Sequence, residues 1–259
     1  MMRRIASIAL NTFKESVRER VLYALIAIAA LMIAAGFLFG SISVGIEENI
    51  LANLGLSSIS FFGILMAVFI GISLVWKELD RRTLYNVLSK PVARPEFILG
   101  KYLGLLLTLV VNTALMTLAY YAALLILKHR LEIGDLASLE AVYFILLELA
   151  LVVAIALLFS CISSPALSVL FTLSIFVIGH FVGDIRGFGE QSGSLVIKVM
   201  TTAVYYLLPD LRGFDFIAAA AHGRLAPRYL VISNSCYALL YVTLLLSASV
   251  LIFEERELK

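Results

Sequence analysis

The feature that most limits the fold is a set of long runs without Asp, Glu, Lys or Arg: 21–46, 50–76, 102–127, 166–183 and 229–253. A sixth run, 141–162, is broken only by Glu148. An α-helix needs about 20 apolar residues to cross the hydrocarbon core of a bilayer. Within that core every backbone N–H and C=O must be bonded inside the segment, which leaves helices as the structure for such runs. The expected fold is an all-α integral membrane protein with six transmembrane helices near 21–42, 55–76, 99–127, 141–162, 166–183 and 229–253, all in one domain over 1–259.

Composition agrees. Hydrophobic residues make up 62% of the chain and charged ones 15%, against roughly 45–50% and 25% in soluble domains. A net charge of +2 is too small to point to nucleic acid, and no such partner is expected. Cys161 and Cys236 lie in apolar runs without ligand spacing. They read as small core residues, and neither a disulfide framework nor a metal site is expected.

The first twenty residues alternate charged and apolar positions, unlike a cleavable signal peptide. Ile5, Ala9, Phe13 and Val17 recur at helical spacing with Ile8 and Leu10 beside them, opposite Arg3, Arg4, Lys14, Arg18 and Arg20. That pattern predicts an N-terminal helix lying in the membrane interface. With six spans and both termini on one side, thirteen of the twenty Lys and Arg fall on that side. The positive-inside rule makes it the cytoplasm. Between spans five and six, the 195–208 run is too short and too charged for a full span and predicts an external re-entrant or surface helix.

The densest polar segment, 78–101, is cytoplasmic in this topology. Leu84, Val87 and Leu88 form an apolar stripe beside Arg81, Arg82 and Tyr85, and Pro91 and Pro95 then break the helix. A short amphipathic helix held between two spans by rigid turns is suited to passing a push from a cytoplasmic partner to both. At these residues the chain resembles the ABC-2-type permeases, membrane subunits of bacterial ATP-binding-cassette exporters. Glu78, Thr83-Leu84, Leu88-Ser89, Pro91-Val92, Arg94 and Gly100-Lys101 match the family pattern; Arg82, Val87 and Ala93 replace its usual Gly, Leu and Ser.

The resemblance implies a permease subunit, not an enzyme, in the inner (cell) membrane of a bacterium or archaeon. It implies a second permease copy and a separate ABC ATPase, with membrane lipid around both. The ATPase-coupling residues would be Glu78, Arg81, Arg82, Thr83, Leu84, Leu88, Ser89, Pro91 and Arg94. No cofactor is expected in this chain, ATP and Mg being bound by the partner. The residues agree, since no G-x-x-x-x-G-K-[ST] occurs and Gly100-Lys101 runs straight into a span.

Ionisable and strongly polar residues inside spans are candidates for the cargo pathway. Glu148 reads as a cargo contact or as a hydrogen-bonded acid facing another helix. Asn112 and Asn234 read as interhelical bonding residues. His180 and Asp184, one turn apart, are placed to pair on one helix face. Gly36 and Gly40 allow close packing against a neighbouring span or a second copy. Two other classes compete: an ATP-independent secondary transporter or channel, and an intramembrane enzyme built on His180 with a serine or with Glu148. The first would carry more intramembrane charge. The second lacks G-x-S-x-G and H-E-x-x-H.

Overall fold

The computed structural model describes residues 2–43, 45–80, 93–130 and 132–255, with side chains for all of these except 74–80, 133, 254 and 255. The described residues are mostly helical and contain no strand. In chain order the helices are α1 (Met2–Val17), α2 (Arg20–Ile42), α3 (Glu47–Asp80), α4 (Arg94–Lys128), α5 (Leu136–Ile162), α6 (Pro165–Gln191), α7 (Leu195–Leu207), α8 (Ile217–Ala221) and α9 (Arg228–Glu255), with short 3-10 turns at Ile133–Asp135 and Arg212–Phe214.

Helices α2 to α6 and α9 are each long and apolar enough to cross a membrane. Two of them form the centre. The apolar stretches of α3 and α5 are 72% buried, against 22–33% for the other four, so α2, α4, α6 and α9 form the outer layer. The outer helices turn many large apolar side chains outward, as a bilayer allows and water does not.

Two helices extend well beyond their expected bounds. α3 begins at Glu47 and α6 ends at Gln191. Both additions carry charge, which ends an apolar run without ending a helix. Glu47 and Glu48 occupy the first turn of α3, where the helix dipole favours acids. Arg186 and Glu190 pair at 3.2 Å one turn apart in α6. The start of α4 is set by extended Ala93 and by Pro95 in the first turn, and the Glu96 carboxylate accepts the Ala93 N–H at 3.3 Å.

The N-terminal helix α1 packs along the root of α4. Gly100 and Gly104 make the groove: a Cβ on Gly100 would stand 2.7 Å from Ile8, and one on Gly104 would stand 2.6 Å from the Ala9 carbonyl and from Thr12. Thr12 and Ser16 are fully buried there. Lys101, 1% exposed, brings its ammonium within 3.9 Å of Glu15 and over the Phe97 ring. Arg4 reaches Glu96 at 3.9 Å. The face around Ile8 and Ala9 is therefore committed to α4, while Leu10 stays exposed. Gly36 and Gly40 meet α3 of the same chain, at Leu54 and the Glu47 carbonyl. Cys161 is buried as expected, whereas Cys236 is exposed on α9.

Candidate functional site

Glu148 lies near the middle of central helix α5 and is 4% exposed. A charged side chain at the centre of a spanning helix costs roughly 3 kcal/mol, so it needs a partner. His180 on α6 supplies one, its Nε2 3.2 Å from Glu148 Oε1. The ring is oriented from its other side: Nδ1 lies 3.0 Å from the Phe176 carbonyl. A carbonyl only accepts, so Nδ1 carries a hydrogen, and the Phe176 ring packs on the imidazole at 4.7 Å. Both ring nitrogens are thus engaged, and neither is left to activate a nucleophile.

The carboxylate and the imidazole are close enough to pair, and Oε1 meets no other hydrogen-bond donor among the described residues. A buried carboxylate oxygen with capacity left over, beside an imidazole, suits a polar or cationic guest bearing an N–H or O–H.

The segment after α7 closes over this pair. Leu211 and Phe214 are buried, and the Phe216 ring stacks on Phe144 of α5 at 4.9 Å. Its backbone is held by other elements. The Leu211 N–H donates to the Gly179 carbonyl at 3.1 Å, next to His180. The Tyr237 hydroxyl accepts the Asp210 N–H at 2.9 Å, and the Tyr241 hydroxyl donates to the Leu207 carbonyl at 2.7 Å. Asn234 Nδ2 donates to the Gly213 carbonyl at 2.6 Å. Arg212 pairs with Asp184 at 2.9 Å, both about 61% exposed.

These contacts revise the pairing expected within α6. His180 and Asp184 share a face, but each finds its partner elsewhere, His180 on α5 and Asp184 in the loop. Asn234 bonds to the loop rather than to another span. Asn112 is 5% exposed, and its amide nitrogen makes no hydrogen bond among the described residues, so interhelical bonding through that nitrogen is not found. The structure therefore joins Glu148 to His180, brings Asn234 to the loop above them, and leaves Asn112 apart from these contacts. Tyr237, Tyr241, Gly179 and Arg212 were not singled out from sequence. Asn234, Tyr237 and Tyr241, at i, i+3 and i+7, form one polar stripe on α9 that was available as a signal.

Of the coupling residues, Arg81, Arg82, Thr83, Leu84, Leu88, Ser89 and Pro91 lie outside the described residues. The backbone of Glu78 belongs to the last turn of α3, and Arg94 opens α4. A separate polar cavity of about 310 Å³ opens between α3, α4, α5 and α8. Lys128 there bridges Glu48 at 2.8 Å and Asp135 at 2.9 Å.

Six spanning helices, two of them central, with a buried acid–imidazole pair under an irregular loop define a multi-pass membrane protein with a polar site inside its bundle. The family follows from comparison: the sequence model described as ABC-2 family transporter protein matches residues 6–258, and the chain belongs to that family. It is a membrane permease subunit of an ABC transporter, and membership implies partnering with an ABC ATPase subunit. No curated protein matches the chain.

Proposed function

We propose that this chain is the permease of an exporter driven by ATP hydrolysis on a separate ATPase, working as a pair of identical permease subunits in a bacterial or archaeal inner membrane. Its termini are cytoplasmic, and the ATPase docks on the stretch from Glu78 to Arg94. The observation that carries this reading is the family match over nearly the whole chain, together with the cytoplasmic pattern of Glu78, Thr83-Leu84, Leu88-Ser89, Pro91 and Arg94. Cargo passes the Glu148–His180 pair, the buried polar contact on the central helices.

Co-expression with a candidate ABC ATPase subunit tests the reading. The two proteins co-purify, and ATP hydrolysis rises on reconstitution of the complex in vesicles. Replacing Arg82, Leu84 and Leu88 together by Ala abolishes both. Full binding and full stimulation in the triple variant would overturn the assignment of the docking stretch.

A further inference from the structure

Helices α5 and α9 leave a gap between their first turns. Leu136, Leu139 and Tyr143, at i, i+3 and i+7, form a stripe on α5, and Leu225 and Val231 stand across from it, one before α9 and one inside it. With Glu140 these residues line an open, mainly apolar groove of about 590 Å³. Two links brace its walls. The Glu140 carboxylate accepts the Ala226 N–H at 2.7 Å, and the Tyr143 and Ser235 hydroxyls bond to each other at 2.7 Å. Tyr143 is seven residues past Leu136, and Ser235 seven past Arg228. The two helices therefore run parallel and in step, and the groove extends about 10 Å along them at ~1.5 Å per residue.

Both helices are long and apolar enough to cross a membrane, so a groove at their starts lies within one leaflet. Leu136, Leu139, Tyr143 and Leu225 are each about half exposed there, a surface that hydrocarbon covers at less cost than water. The mouth of the groove is basic. Arg224 precedes Leu225, and Arg228 stands one turn before Val231 on the same face of α9. Both arginines are exposed, and neither makes an ion pair among the described residues. Glu140, the acid of the lining, is engaged by the Ala226 N–H. Tyr229, exposed beside the arginines, is of a type that settles at headgroup level. An apolar slot below two uncompensated cations is complementary to an acyl chain that carries a phosphate.

We propose that the α5–α9 groove binds an anionic phospholipid of the outer leaflet, with one acyl chain along Leu136, Leu139 and Tyr143 and the phosphate at Arg224 and Arg228. Ser235, which closes the groove, is next to Asn234, which holds the Gly213 carbonyl of the loop over Glu148. The lipid thus braces the turn of α9 from which that loop is held. The proposal rests on the reading of α5 and α9 as spans that start on the external side.

The whole permease is reconstituted in phosphatidylcholine vesicles doped with phosphatidylglycerol or phosphatidylcholine carrying a diazirine on the acyl chain, irradiated, and mapped by peptide. Leu239 and Leu244, strongly exposed further along α9, serve as references. The phosphatidylglycerol probe is expected to label 136–143 and 225–231 on the order of tenfold more than the phosphatidylcholine probe, with both labelling the references alike. Arg224→Gln with Arg228→Gln removes that preference and leaves the references unchanged. Leu139→Trp fills the groove and suppresses its labelling while both arginines remain. Equal labelling of the wild-type groove by the two probes means ordinary boundary lipid and overturns the proposal. A groove shielded from both probes while Leu239 and Leu244 are labelled means that a second copy or another protein covers it, and overturns the groove proposal alone. Absence of label at Leu239 and Leu244 as well means that the span reading fails, and the proposal with it.

Discussion

The root of α4 and the loop over Glu148 are both places where irregular or charged chain meets the helix bundle, yet they are held in opposite ways. At the root, Gly100 and Gly104 let α1 approach until backbone and side chains touch, and Lys101 is sealed inside the contact. Shape holds that end. Over Glu148, hydrogen bonds with Tyr237, Tyr241, Asn234 and Gly179 and the exposed Arg212–Asp184 pair hold the loop. Close-packed contacts change only by discrete rearrangement, whereas individual hydrogen bonds contribute about 1 kcal/mol each and can be exchanged singly. On the proposed docking, a push delivered near Arg94 would move α1 and α4 as one body, while the loop would be the part able to yield.

Substitutions can break or sharpen this contrast. The largest effect is expected from His180→Ala, which strands Glu148 in the bundle. Removing one partner of a buried pair costs roughly 3 kcal/mol, read as lower thermal stability in detergent, and a Glu148→Leu, His180→Leu double variant recovers most of it. A mild single variant would mean the pair does not sit in the protein interior as described. Next comes Gly104→Leu. Overpacking the α1 groove costs about 1–3 kcal/mol and loosens the α1 backbone, so trypsin cleaves faster after Lys14 and Arg18, whose side chains are already exposed; an unchanged cleavage rate would show that α1 is not held by shape. Tyr241→Phe removes the bond to the Leu207 carbonyl and should cost about 1 kcal/mol, with faster hydrogen exchange confined to 207–213. The smallest effect is expected from Arg212→Gln. An exposed pair is worth less than about 1 kcal/mol, so stability stays nearly unchanged.

Much of the helical plan was legible because bilayer thickness ties function to uncharged run length. Helices α2 and α5 end at Ile42 and Ile162, at the close of their apolar runs. Helix α3 begins earlier, at Glu47, and α6 ends later, at Gln191, than the predicted spans, because charged residues there continue a helix beyond its apolar run. Glu148 and His180 were each visible as polar residues inside a span, but their partnership was not. It depends on the rotation of α5 against α6, which residue spacing within either helix does not contain. Gly100 was legible as a false nucleotide motif and not as a groove, because the partner that fills it, Ile8, is far away in the chain. The burial of Leu211 and Phe214 was hidden for a related reason. Isolated apolar residues among Pro209, Asp210, Arg212 and Gly213 carry no periodic signal.

The most direct test of the yielding loop is to tie it to α6. A Cβ at residue 179 would lie 3.0 Å from Leu211 Cγ, the place a cysteine sulfur would take, and 2.9 Å from the Pro209 carbonyl, which must give way slightly, so Gly179→Cys with Leu211→Cys in a Cys161→Ala, Cys236→Ser background brings two sulfurs within bridging reach. In vesicles containing the permease and its ATPase, oxidation is predicted to abolish the permease-dependent rise in ATP hydrolysis, and a reductant to restore it. Full stimulated hydrolysis with the disulfide in place would contradict the account.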